Sequence, residues 1–427
     1  MTHNESLLQY VWKHKLFALE NLSTTDGIPV EMIDVGMQNT DAGPDFFNAK
    51  IKIGDKLWAG NVEIHLSSAD WVKHGHHLNP AYNSVILHVV EHFISDVFNE
   101  KNQRVTQMQI TVPESVRRNA DALLRSPKVI SCSDKLKDIP AAPLRLWINS
   151  LAIERMERKT KDIFTHLQRY KNSWNETFYV LLSRNFGFGL NADAFERLAL
   201  SLPFSYIQKH ADKRYQVEAL LFGQAGMLNN KTLSDDYFLL LKREYEFLKQ
   251  KFSLKNLDES LFRSLRVRPG GFPQVRIAQL AALLQHSGQL LSSVLEIDDF
   301  AKLRLFFHVN ASEYWQTHYS FGHATPKSSK YPGDASIDAI LINTAVPMLF
   351  AYGKKNDEDK YCDRAFYFLE SLKAERNAII TAFKDAGIRA KNAFESQALI
   401  QLKKEYCDKR KCLYCQIGHR LLKQTAP

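Results

Sequence analysis

Residues 43–66 read GPDFFNAKIKIGDKLWAGNVEIHL, and the fold of the early chain turns on this stretch. Phe46–Ile53 alternates apolar and polar side chains, the period-2 pattern of a half-buried strand. Gly54-Asp55 is a turn, and Leu57–Leu66 is the strand that leaves it. Pro44-Asp45 stands at the mouth of the first strand, and Glu63-x-His65 lies on the second, eighteen residues on from Asp45. Two carboxylates on adjacent strands can share one divalent cation, and His65 projects to the same face as Glu63 because strand side chains alternate. Metal-assisted phosphodiester hydrolysis needs this set: hard oxygen ligands for Mg²⁺ or Mn²⁺ and a nearby basic group to position or deprotonate water. The plainer alternative is a turn aspartate and an exposed strand pair that bind nothing.

Outward from this hairpin, apolar spacing from Leu7 to Leu19 predicts a helix over residues 5–22. Val30–Val35 is a short strand, Ser68–His74 a short helix, and Ser84–Val90 (SVILHVV) a near-continuous apolar strand of the kind buried on both faces. Gln107–Val112 closes the set near Pro113. His88 inside SVILHVV needs a polar partner, for which Asp45, Glu63 and His65 are candidates. His74, His76 and His77 of WVKHGHH can join Asp45 and Glu63 around zinc or manganese, or can simply be solvated in a glycine loop.

Beyond residue 115 the periodicity is helical: 145–170, 174–186, 192–200, 214–225, 235–252, 276–289, 340–352, 363–376 and 396–405. The expected class is therefore α+β, a small mixed α/β domain (1–115) before a mainly helical region. That region divides into a helical domain (116–355) and a helical C-terminal segment with a metal knuckle (356–427).

The chain has 427 residues, 45% apolar and 24% charged, which excludes collagen-like, low-complexity and fully disordered classes. No apolar run approaches the ~18 residues of a membrane span, and the start lacks the layout of a secretion signal. Five cysteines are too few for a secreted disulfide scaffold, so a reducing cytoplasm is expected. Residues 1–115 carry 8 Lys+Arg against 14 Asp+Glu and eight of the fifteen histidines, whereas the remainder carries 48 against 33. An acidic, metal-attracting part beside a basic one suits a phosphate-rich partner such as DNA or RNA, although a basic helical surface can also bind nothing.

The tail supplies a second concentration of ligands. Cys407-x4-Cys412-x2-Cys415-x3-His419 presents three thiols and an imidazole, a set for Zn²⁺, and Cys362 as fourth ligand would equally suit an iron–sulfur cluster. Cys132, alone in ISCSD, reads as passive. Residues 402–423 hold seven Lys/Arg and two acids, a surface suited to phosphate. Arg266, Arg268 and Arg276 around the PGGFP turn can also meet phosphate, but read more simply as a rigid corner.

With helix, three strands, helix and strand in that order, the first domain resembles the PD-(D/E)xK nuclease superfamily. That core carries Pro-Asp on its second strand and Asp/Glu-x-Lys on its third, matched here by Pro44, Asp45 and Glu63. The resemblance implies a restriction-endonuclease-like fold, metal ligation by Asp45 and Glu63, and a further acidic match at Glu5. It places His65 in the lysine slot, and the buried strand reading adds His88 behind it. An imidazole of pKa near ~6.5 binds metal or relays a proton but is no fixed ammonium. The expected activity is a metal-dependent nuclease, with an inactive nucleic-acid- or protein-binding scaffold and a His-rich phosphoesterase as alternatives. Over nearly the whole chain, GPDF (43–46), GNVEIH (60–65), DWxxHxHxxxxxY (70–82), LHVV (87–90), RNFGF (184–188), LFGQAG (221–226), RPxxFPxxR (268–276) and CLxCxIG (412–418) look like domain-of-unknown-function family 2851. That resemblance implies a cytosolic bacterial protein and transfers no activity.

Overall fold

The computed structural model describes residues 3–286 and 290–424. The chain divides into two compact units, each assembled from separated stretches. The first unit takes residues 1–147, 382–388 and 402–427, and the second takes 148–381 and 389–401. Residues 116–147 group with the first unit, and residues 356–427 are divided between the two units. The long helix Ala141–Arg169 begins in the first unit and carries the chain into the second.

The first unit opens with α1 (His3–Lys13), whose Leu7, Leu8, Val11 and Trp12 are buried. It is shorter than the 5–22 span expected. Lys15 takes φ +50, and the amide of Leu16 reaches back to the carbonyl of Val11 at 2.9 Å, a hydrogen-bonded stop at the helix C-terminus. Phe17 then folds back on Trp12, their rings 5.9 Å apart and nearly parallel.

Six strands follow as one mixed sheet: β1 (Val30–Asp34), β2 (Met37–Gln38), β3 (Phe46–Ile53), β4 (Lys56–Ser67), β5 (Val85–His92) and β6 (Gln107–Gln109). The order is β1-β3-β4-β5-β6, with the short β2 paired to β3 beside β1. β3 runs antiparallel to β1 and to β4, while β4-β5 and β5-β6 are parallel. The parallel step needs a crossover, supplied by α2 (Asp70–Lys73) and two 3₁₀ turns (His76–Leu78 and Pro80–Ser84). β3 buries alternate residues, and β5 buries Leu87 through Glu91 without a break, as its apolar run requires. Gly60 is the close approach in β4, since a Cβ there would sit 2.4 Å from Ile86 Cγ2.

The second unit is helical, as its periodicity predicts. Helices Trp174–Phe186, Ala192–Ser201, Arg214–Gln224, Asp236–Phe252, Pro273–His286, Val346–Asn356, Asp359–Ser371 and Ala393–Gln401 enclose a core of large aromatics including Phe178, Phe195, Phe222 and Trp315. Residues 287–289 of the expected 276–289 span lie outside the described residues. The run Asp334–Asn356 is long and apolar enough to cross a membrane, and 67% of that apolar window is buried inside the protein. Arg276 is half-buried, its guanidinium over the Phe188 ring at 4.2 Å, so the PGGFP corner turns this side chain onto the protein. The architecture is α+β: a mixed sheet near the N-terminus and a mainly helical remainder.

Candidate metal centre

The two carboxylates expected to act together meet at the β3–β4 edge. Asp45 precedes β3, and its amide donates to Glu63 Oε2 at 3.1 Å. In return, Asp45 Oδ2 accepts from the Ile64 amide at 3.0 Å. Each side chain is thus pinned by backbone beside the other. A bulge between Phe46 and Ala49, with Asn48 at φ +56, breaks the ladder at this point and sets the entry to β3. Gln9 of α1 bonds the Asp45 carboxylate, and the Glu5 charge on the same helix acts on both acids. Asp45 and Glu63 are 7% and 5% exposed. Burial pushes both well above the usual carboxylate range, and the charge of Glu63 adds to the rise at Asp45.

Four imidazoles gather against this pair. Parallel pairing sets His88 of β5 opposite Glu63 of β4. His65 Nδ1 lies 2.9 Å from His88 Nε2, and His88 Nδ1 lies 3.2 Å from Gln107 Nε2 on β6. The other nitrogen of His65, Nε2, is 3.1 Å from His74 Nδ1 and 3.4 Å from Glu63 Oε1. His76 Nε2 is 3.2 Å from Glu63 Oε1, but it is a buried nitrogen without an aligned hydrogen bond. Gly75 at φ +75 turns the chain between His74 and His76 so that both rings reach the same cluster. The His76 ring stacks on Tyr82 at 3.8 Å, and Trp71 packs against both His76 and His88. Burial first, then neighbouring imidazoles, pushes His65 down to about 2 and His88 down to about 3, so both are neutral at pH 7.

Among the described residues, His65, His74 and His76 form the group whose ligand atoms lie within 4.8 Å of one another. Two mutually repelling buried acids, an orphaned imidazole nitrogen and neutral neighbouring rings fit a divalent cation. Oxygen and imidazole donors together suit Mn²⁺ or Zn²⁺ better than Mg²⁺, which prefers an all-oxygen shell.

For His65 to offer Nε2 to a cation, its proton must sit on Nδ1 and donate to His88 Nε2. His88 Nδ1–H must then donate to the Gln107 amide oxygen. As placed, that oxygen is buried and unpartnered while the amide nitrogen faces His88, so turning the amide over satisfies both demands.

Sequence reading located Asp45, Glu63, His65 and His88, and the structure brings all four together. Of the HGHH histidines, His74 and His76 join them and His77 does not. Gln9, Tyr82 and Gln107 carry no sequence signal for this site; β6 pairing in parallel beyond His88 is what places Gln107.

In the tail, Cys407, Cys412 and Cys415 line one small cavity, joined there by Cys132. The ring of His419 lies elsewhere, with Nδ1 2.7 Å from Tyr10 Oη and its centroid 4.2 Å from that of His14. Cys362 belongs to the other unit, its Sγ 3.7 Å from the Phe350 carbonyl.

A family model described as "Protein of unknown function (DUF2851)" matches residues 5–378. No curated protein and no solved structure matches the chain.

Proposed function

The chain belongs to that family, and from this premise we propose that its first unit is a divalent-metal-dependent hydrolase of phosphodiester bonds, a nuclease-like enzyme acting on DNA or RNA. The observation that carries the reading is the Asp45–Glu63 pair, locked by reciprocal backbone bonds and faced by His65, His74 and His76. The order of elements supports it once the two-residue β2 is set aside: helix α1, strands β1, β3 and β4, helix α2 and strand β5, with Pro44-Asp45 before β3 and Glu63-x-His65 on β4. A PD-(D/E)xK core is expected to follow such an order. The excess of Lys and Arg beyond residue 115 supports a polyanionic substrate.

A bound Mn²⁺ or related cation would polarise a phosphate oxygen and ease deprotonation of water. The protein's own groups do the rest. Asp45 and Glu63 supply two oxygen donors, and His76 supplies the nitrogen that has no aligned hydrogen bond. His65 stands where the nuclease pattern has lysine and is held neutral, so it keeps its proton on one ring nitrogen and offers the other as a ligand instead of presenting a fixed positive charge. His88 and Gln107 fix which nitrogen of His65 carries that proton.

The depth of the cluster favours a second reading, a His-rich phosphoesterase of small substrates. Cleavage of labelled single- and double-stranded DNA and RNA, in Mn²⁺, Mg²⁺ or EDTA, separates the two when run beside a small aryl phosphodiester. The expected result is metal-dependent cutting of polynucleotide that Glu63→Gln abolishes. Cutting of the small ester alone favours the second reading. No cutting in either assay, with nucleic acid still bound in a salt-sensitive way, overturns both and leaves a binding scaffold.

A further inference from the structure

Four of the five cysteines collect at one place in the first unit, apart from the acidic cluster. Cys132 sits in the turn before the 3₁₀ segment Ser133–Asp138, and Cys407, Cys412 and Cys415 come from the C-terminal stretch, Cys407 standing 275 positions later in sequence. All four line a cavity of about 20 Å³, with Tyr406 and Gly418 among its other walls. That space is about the size of one water.

Hydrogen-bond donors face the sulfurs. The amides of Ile417 and Gly418 donate to the Cys415 sulfur, bonds that favour thiolate over thiol. The indole of Trp147 is directed at the same sulfur, and its Nε1 is buried with no conventional hydrogen-bond partner. Ser131 faces the Cys412 sulfur while its hydroxyl is held by Arg410. Gly418 permits the turn, since a Cβ there would lie 2.0 Å from the Cys412 carbonyl oxygen. No side chain but hydrogen fits, so the chain after Cys415 presses directly on the Cys412 turn.

We propose that Cys132, Cys407, Cys412 and Cys415 are the four thiolate ligands of a single soft-metal centre, zinc or an iron–sulfur cluster, which fastens the C-terminal cysteine turn to the loop after the helix Glu114–Leu124. Metal loading releases the four thiol protons to solvent and, for zinc, changes no oxidation state. Cys132 thereby takes the place that spacing alone gives to His419. The sulfurs stand wider than the ~3.8 Å edge of a zinc tetrathiolate with Zn–S of ~2.3 Å, because among the described residues only the three imidazoles bring ligand atoms of this kind mutually within 4.8 Å. Binding of a single zinc draws them inward to that edge. The centre is independent of the acidic site and of the reaction proposed for it.

The test uses the full chain, purified anaerobically and aerobically, with metal content measured by mass spectrometry and by the visible spectrum. One zinc per chain without colour that survives Glu63→Gln and is lost with Cys132→Ser, or several irons with acid-labile sulfide and broad visible absorption, supports the proposal and names the metal. Cys132→Ser is expected to lower the retained metal at least tenfold, whereas His419→Gln and Cys362→Ser retain it. Because Cys132→Ser can also unfold the unit, Co²⁺ is added to reduced, metal-free protein of unchanged circular dichroism. The parent chain should give the charge-transfer bands of a tetrathiolate, and the variant those of three thiolates. Identical Co²⁺ spectra for parent and variant overturn the proposal. So does a chain that holds no metal in either preparation, or metal that leaves with His419 and not with Cys132.

Discussion

Replacing Glu63 with Gln should make the metal-free protein more stable, although the residue is placed at the centre of the proposed cation site. Glu63 is held from 4.5 up to about 8 by burial, and Asp45 beside it from 3.8 up to about 8. At pH 8 and in EDTA, holding one such carboxyl ionised costs the native state about 4 kcal/mol relative to the unfolded chain. The penalty is shared across a coupled pair, so removing one charge recovers about 2 kcal/mol. The glutamine side chain keeps an oxygen for the Asp45 amide, so no buried donor is orphaned. For a unit of roughly 150–250 residues, that gain raises the melting temperature by about 4–8 °C. Scanning calorimetry, in EDTA and then in Mn²⁺, reads both halves of the argument. Mn²⁺ should raise the melting of the parent chain and leave the variant nearly unmoved. A variant that melts lower than the parent in EDTA, or an equal Mn²⁺ shift in both, would refute the reasoning.

Two further outcomes follow from the same cluster. Without metal, the histidines and acids make stability level between about pH 4.5 and 6.5 and lower on either side. His65 and His88 are neutral in the fold with values depressed from 6.5, so their contribution falls as pH drops below 6.5, by up to about 1.4 kcal/mol per pH unit for each ring. The acids have raised values, so their contribution is present at low pH and is lost as pH rises from the ordinary carboxylate range toward about 8, which offsets the two rings up to pH 6.5 and is unopposed above it. Urea titrations across pH 4–9 in EDTA should show a loss of stability from pH 6.5 to 8, and level stability over that interval would contradict the placement of the acids. Gln107→Leu should weaken Mn²⁺ binding by about 10–100-fold with Asp45 and Glu63 intact, because His65 loses the chain of donors that frees its Nε2. Calorimetric titration measures it, and unchanged affinity in Gln107→Leu would remove Gln107 and His88 from the site.

The strands were legible because each is patterned by its own burial. FFNAKIKI alternates and is found at Phe46–Ile53, and the apolar run of SVILHVV lies in β5, which is buried for most of its length. Asp45 and Glu63 were legible because a hairpin is local, so eighteen residues of separation translate directly into adjacency. What escaped reading depends on distant or irregular backbone. His74, His76 and His77 were all candidates, and which of them reach the acids is set by the left-handed glycine between His74 and His76. Gln107 arrives by a parallel pairing that leaves no mark in QMQ itself, and Cys132 gains its partners only from the far end of the chain. Two π-helical stretches, Leu341–Ala345 and Leu402–Cys407, sit inside ordinary-looking helical periodicity. The second of these ends on Cys407, so the departure from 3.6-residue spacing falls where a proposed ligand must be aimed.

The interrupted course of the first unit also sets an order of events during synthesis. Its sheet is encoded before residue 110, yet its last stretch begins at residue 402. A ribosome adding about 5–20 residues per second needs roughly 15–55 s to travel from Cys132 to Cys407. For that interval Cys132 waits without the three cysteines that share its cavity, while the helices of the intervening unit emerge and can pack. The unit that starts first is therefore the one that finishes last, and a nascent chain halted before residue 402 would carry a complete acidic cluster on a unit still open along its cysteine seam.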